Sequence, residues 1–378
     1  MRACQFALWA FLWFAASHGF AQTGLTDSTI ILGQSAPISG AGDDTGKQLR
    51  DGASAYFEYI NSRGGVHGRK IILKTLDDGG QPERAAANTR KLIEGEGAGA
   101  FALFGYVGIR SAAAALPLVT QANIPFFAPS SGAHSLRQPV NKNVFHVRAG
   151  YSDEAEKIVQ HVTTMGMSRI AVFYQDNEYG KAALEGIQQA LKKRNLEPVA
   201  IAAAEDQASD VTTAVFKIHA ANPQTVLLAA PWTSAVPFIQ VMRASGSTVS
   251  YWGISLLGSR GLAAEMGKDA AGVQISQVLP APWDEQNAVI KEYNKIYLKD
   301  GKKEWSYTSL EGFIAAKVLV EGLQRAGRGL TRAGLIRALE SLAPYDVGGM
   351  SVRYGPDKRD GSTYVDLTMI SRTGKFLR

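Results

Sequence analysis

Short apolar runs alternate with amphipathic helical patterns along most of the 378 residues, and this alternation limits the possible folds more than any other feature. Residues 29–34 (T-I-I-L-G-Q) read as a strand, and the stretch after them carries Leu49, Ala53, Tyr56, Phe57 and Ile60 on one helical face. After a break at 63–68 come a strand at 70–76 and a helix opening near Pro82, a residue suited to a first turn. Residues 100–104, 110–121 and 125–129 continue as strand, helix and strand. A second series begins after the strand 144–147 with the helix 153–165, Ser152 being its expected N-cap. It continues through 169–174, 179–193, 199–203, 211–220, 225–230, 237–243 and 249–255 to a strand at 273–278. Three helices follow at 287–299, 307–325 and 332–341. Two last strands, 350–354 and 365–370, are expected to pair across the turn-forming residues 355–361.

Alternating strand–helix units give parallel sheets covered by helices on both faces, connected by right-handed crossovers. Two such series predict an α/β chain of two doubly wound lobes joined by three crossovers, near 147–152, 274–279 and 348–351. The expected first lobe is 23–148 plus 278–348, and the second 149–277 plus 349–378. Residues 1–21 read as a cleaved signal peptide: Arg2, an apolar run over 6–16, then Gly19-Phe20-Ala21. The single cysteine, Cys4, would leave with it, so neither disulfides nor thiol chemistry are expected in an exported, periplasmic product. The net charge of +6 is spread along the chain, and Lys192-Lys193-Arg194 reads as a solvated helix end, so no nucleic-acid partner is expected.

Catalytic and cofactor motifs fail on inspection. Gly46-Lys47 has Ala41 where a phosphate loop needs glycine, and Thr45 stands where a dinucleotide fingerprint needs its third glycine. Asp357 and Asp360 offer too few spaced oxygens for a calcium loop. His67, His134, His146, His161 and His219 lie in separate elements without ligand spacing. No catalytic residue, metal or cofactor is expected, and the chain does not read as an enzyme. What remains is a set of loops after strand C-termini, 39–46, 105–111, 129–133, 175–179, 231–234 and 255–259, where open α/β sheets bind ligands. They carry hydroxyls, backbone amides and the aromatic groups of Tyr106, Tyr179 and Trp232, the makeup of a small-molecule pocket.

Several stretches in order carry a resemblance: I-I-L-G-Q-S-A-P-I-S-G, Asp51-Gly52-Ala53, I-N-S-R-G-G-V-H-G-R-K-I, L-D-D-G, P-E-R-A-A-A-N-T-R-K-L-I, N-I-P-F-F-A-P-S-S-G-A and Q-D-N-E-Y-G-K-A. Together the chain resembles the leucine/isoleucine/valine-binding protein family, solute-binding subunits of ABC importers with the type I two-lobed periplasmic fold. The resemblance implies a monomer that captures a small organic ligand (an amino acid, amide or carboxylate) by hinge closure and docks on an ABC permease of the inner membrane. A ligand-sensing module of a signalling receptor and an exported hydrolase are the alternative readings.

The resemblance also implies site residues. The loop after the third strand gives the ligand carboxylate a hydroxyl; Ile109 stands at that position, so Ser111 or Arg110 would substitute. Ser130, Ser131 and Gly132 would offer amides and hydroxyls to the same group. Tyr179 would close on the ligand from the second lobe, Trp232 would line the side-chain pocket, and Thr45 falls where a large aromatic usually lies. Ser255 falls at the acid that pairs with a ligand ammonium, and no Asp or Glu occurs between Asp210 and Glu265. A neutral residue there argues for a ligand without a free ammonium.

Overall fold

A computed structural model describes residues 23–39, 44–95, 99–205, 210–299, 301 and 303–378. The expected signal peptide lies outside the described residues. The first series comprises β1 (Thr29–Ala36), α1 (Thr45–Ser62), β2 (Lys70–Asp77), α2 (Pro82–Glu94), β3 (Ala102–Phe104), α3 (Ile109–Ala122), β4 (Phe126–Phe127) and β5 (Val144–Phe145). The second is α4 (Tyr151–Thr164), β6 (Ile170–Asp176), α5 (Glu178–Lys192), β7 (Ala200–Glu205), α6 (Thr212–Ala220), β8 (Thr225–Ala229), α7 (Trp232–Ala244), β9 (Ser250–Gly253), α8 (Ser259–Met266) and β10 (Gln274–Gln277). The chain then returns to the first lobe as α9 (Ala288–Tyr297), α10 (Tyr307–Ala326), α11 (Arg332–Glu340), β11 (Tyr345–Asp346) and β12 (Ser351–Val352), and finishes as β13 (Asp366–Ile370) and β14 (Phe376–Leu377).

The first sheet is ordered β2-β1-β3-β4-β5, all parallel. The second repeats that order as β7-β6-β8-β9-β10 and adds β13 and β14 antiparallel at one edge. In both, the chain reverses its direction of travel across the sheet beside the first strand, at β1/β3 and β6/β8, where a crevice opens at the strand C-termini. The protein is thus an α/β molecule of two doubly wound parallel-sheet lobes, as the alternation predicts.

Local chemistry sets the element ends. Asn177, Ser306 and Thr331 cap α5, α10 and α11 by accepting from Gly180 N, Ser309 N and Gly334 N at 3.0, 3.0 and 2.9 Å. The helix expected at 153, with Ser152 as its N-cap, begins two residues earlier: Gly150 is the N-cap, and its N–H donates to Asp153 Oδ2 at 2.9 Å. In the first lobe, α1 and α10 cross closely. A Cβ on Gly52 would lie 1.8 Å from the Ser309 carbonyl oxygen, and one on Gly312 would lie 2.0 Å from that of Leu49. Tyr56 meets Phe313 edge-on beside this crossing, with ring centroids 5.0 Å apart.

The expected hairpin of 350–354 with 365–370 does not form. β12 pairs with β11, and Val347, Met350, Val352 and Tyr354 join the core of the first lobe, whereas β13 pairs with β10 in the second sheet. Their apolar side chains find the nearer core, so the third crossover runs later than expected, between β12 and β13. It lies against the first crossover: His146 N donates to Arg359 O at 2.9 Å, and Gly361 N to His146 O at 2.8 Å.

Candidate ligand-binding cleft

A cavity of about 590 Å³ separates the lobes, with Thr45, Gln48 and Tyr307 on one wall and Trp232, Ser255 and Gly261 on the other. That volume is of the size that holds a small organic ligand. Thr45 is the first residue of α1 and lines this cavity. Ile38 and Ser39, after β1, are held by Asp77, whose carboxylate accepts from the Ser39 hydroxyl and from Ile38 N at 3.0 Å. The Ser39 hydroxyl first, with the backbone amides, holds the Asp77 pKa down at about 2. Trp232 opens α7 and packs under α8. Glycine is required at Gly261, where a Cβ would lie 2.6 Å from the indole nitrogen.

The residues expected on the carboxylate side lie at the starts of α3 and α5 and after β4. Ser111 is buried in the first turn of α3 and hydrogen-bonds the Asp78 carboxyl, which also accepts from Ser35 Oγ at 2.9 Å and Gly80 N at 2.8 Å. Burial raises the Asp78 pKa despite those bonds. Arg110 points outward and sits 3.9 Å from Glu178 on α5, so the starts of α3 and α5 face each other across the lobes. Ser130, Ser131 and Gly132 form the buried turn after β4. Tyr179, in the first turn of α5, meets Tyr151 edge-on with ring centroids 5.7 Å apart. Tyr106 is not at the cleft surface: fully buried, it bonds Thr89 Oγ1 at 3.0 Å and stacks edge-on to Phe126, because the second residue after β3 points into the first lobe's interior.

Beneath Ser255 lies a buried charge cluster that sequence reasoning missed. Arg148, at the first crossover, sits 3.3 Å from Glu154 on α4 and 3.4 Å from Glu311 on α10, and donates to Ser255 Oγ at 2.5 Å. One guanidinium therefore ties both lobes at the hinge. Burial opposes the charge on Arg148, but Glu311 and Glu154 outweigh it and raise its pKa. Burial pushes the Glu154 carboxyl up. Glu154 Oε1 accepts from Ser255 Oγ at 3.0 Å; Oε2 accepts from Ser255 N at 2.7 Å and Ser276 Oγ at 2.6 Å. An acid does stand behind Ser255, 101 residues away in sequence. Both of its oxygens are already engaged, so it offers little to a ligand ammonium.

Two doubly wound lobes that share a cleft at their strand C-termini, with side chains of both lining it, define a ligand-capturing protein of the two-lobe type. The family model for periplasmic binding proteins matches residues 29–375, and the chain belongs to that family. It is 24% identical over 356 residues to Leu/Ile/Val-binding protein homolog 3 of Brucella melitensis, covering 90% of each chain. Among solved structures, a substrate-binding periplasmic protein from Ralstonia solanacearum is 33% identical with a TM-score of 0.83, over 92% of this chain and 99% of that one. An extracellular ligand-binding receptor from Verminephrobacter eiseniae is 28% identical with a TM-score of 0.84, over 93% and 100%. These relatives bear out the Leu/Ile/Val-binding resemblance and the type I periplasmic binding fold. No helix among the described residues is long and apolar enough to cross a membrane.

Proposed function

We propose that this chain is the periplasmic solute-binding subunit of an ABC importer of the branched-chain amino-acid type, and that it captures a small organic ligand by hinge closure. The observation that carries the reading is the cleft itself, lined from both lobes at the strand C-termini and crossed by contacts on either side. A ligand touching both walls favours the closed form over the open one. The rigid bodies are the two sheets with their helices, moving about the three crossovers, and the closed complex docks as a monomer on a membrane permease. The engaged oxygens of Glu154 behind Ser255 support a ligand without a free ammonium, a carboxylate or amide before an amino acid. Thr45, Trp232 and Ser255 would line its body, and Arg110, Ser111, Ser130, Ser131, Gly132 and Tyr179 would surround its polar end.

The test is a thermal-shift screen of protein unfolded, freed of ligand and refolded, against amino acids, their amides, and aliphatic and aromatic acids. A ligand of the native state raises the melting temperature by mass action. A reproducible shift followed by saturable calorimetric binding is expected. No shift across the panel would overturn the solute-binding reading, and tight leucine binding would overturn the preference against an ammonium.

A further inference from the structure

Two tyrosine hydroxyls at the starts of α4 and α5 make no well-formed hydrogen bond within the protein. Tyr151 is 1% exposed, and its hydroxyl and that of Tyr179 are both out of solvent contact and without a hydrogen bond. A third buried donor, Arg148 Nε, also lacks an acceptor. Buried hydroxyls in native proteins nearly always find partners, so neighbouring unsatisfied hydroxyls in ring contact at two helix starts point to a group supplied from outside. Their surroundings show which group. The Tyr151 hydroxyl faces the Ser131 hydroxyl and the Gly132 N–H without well-formed bonds to either. Gly132 is needed there because its Cβ would lie 2.4 Å from the Tyr151 ring. Tyr151 is the first residue of α4 and Tyr179 the second of α5, so the positive ends of two helix dipoles lie alongside.

We propose that Tyr151 is a ligand-binding residue, and that its hydroxyl and that of Tyr179 together donate to the acid oxygens of a carboxylate ligand, so that the cleft selects the acid over the matching amide. This rests on the solute-binding reading above. A carboxylate has only acceptors to present and makes stronger, charge-assisted bonds to such donors. A primary amide would set its N–H₂ against N–H and O–H groups.

Calorimetry on refolded, ligand-free protein tests this with two matched probe pairs, 4-methylpentanoate with 4-methylpentanamide and benzoate with benzamide. At least one acid is expected to bind, about tenfold or more tighter than its amide. Tyr151→Phe and Tyr179→Phe should each weaken that acid by about tenfold. Because neither hydroxyl makes a well-formed hydrogen bond without ligand, both variants should melt, ligand-free, at or above the wild-type temperature. A merely structural role would instead lower the melting temperature and leave affinity unchanged, which overturns the inference. So do an amide that binds as tightly as its acid, and a wider solute screen that finds ligands while neither acid binds. If no solute of any class binds, the solute-binding reading falls and this inference with it.

Discussion

Arg260, on the second lobe, donates from Nη1 to the main-chain carbonyl of Trp305, on the first, at 2.6 Å. Its guanidinium carbon also lies 5.5 Å from the Trp305 ring centroid, and Nη2 pairs with Glu304. These contacts span the mouth of the cavity and exist only when the lobes are near each other. Arg260→Ala should therefore shift the lobes toward the open form and weaken any bound solute by roughly twofold to fivefold, since affinity scales with the competent fraction. Small-angle scattering should show a larger radius of gyration for the ligand-free variant. An unchanged radius and affinity would mean that the Arg260 contacts do not bias closure.

At the crossing of α1 and α10 there is no room for a methyl group. The atoms facing Gly52 and Gly312 are main-chain carbonyls, which cannot swing aside as a side chain does. Gly52→Ala should cost about 1–3 kcal/mol or more by overpacking, against the small gain a helix usually takes from Gly to Ala. Urea unfolding measures it; a midpoint at or above wild type would show that the helices separate freely.

Arg148 holds two carboxylates from opposite lobes, and removing it strands them. Arg148→Met should destabilise the protein by about 3–5 kcal/mol, because it leaves Glu154 fully buried without its cation. Adding Glu154→Gln should recover a large part of that loss by removing the stranded charge. Equal stabilities of the single and double variants, by denaturant midpoint, would show that the ion pair is not what the site depends on.

The architecture was legible because each helix and strand of a doubly wound lobe carries its own periodicity and its own breaker. Pro82 opens α2 as its place in the sequence predicts, and α9, α10 and α11 fall within a few residues of the patterns that predict them. The last strands were not legible, since Met350 and Val352 are as apolar as any β-residue and pattern does not say which of two cores receives them. The cleft was legible only as a set of loops. Thr45, Trp232 and Ser255 line it, whereas Tyr106 follows a strand just as they do yet turns inward. The charge cluster was hidden for a different reason: Glu154 and Glu311 sit in helices whose charged residues ordinarily face water, and only the meeting of α4, α10 and the first crossover makes them neighbours of Arg148. Nothing in the spacing of those three residues signals it.

His146, at the first crossover, is fully buried, and its Nε2 lies 3.1 Å from the Leu136 carbonyl, to which it donates in the neutral form. Burial first, then the positive charges of Arg137 and Arg148, hold its pKa well below the ordinary 6.5. The sign follows from proton counting. Below about pH 6.5 the unfolded chain binds a proton at this histidine that the folded chain refuses, so stability is complete above that pH and falls as pH drops toward the folded-state value. Over that window His146 alone should remove about 1.4 kcal/mol per pH unit. His146→Gln keeps a donor for the Leu136 carbonyl but does not titrate, so its stability between pH 6.5 and pH 5 should decline less steeply than wild type. Denaturant unfolding at half-unit pH steps measures both slopes, and parallel curves for the two proteins would show that the acid sensitivity arises elsewhere.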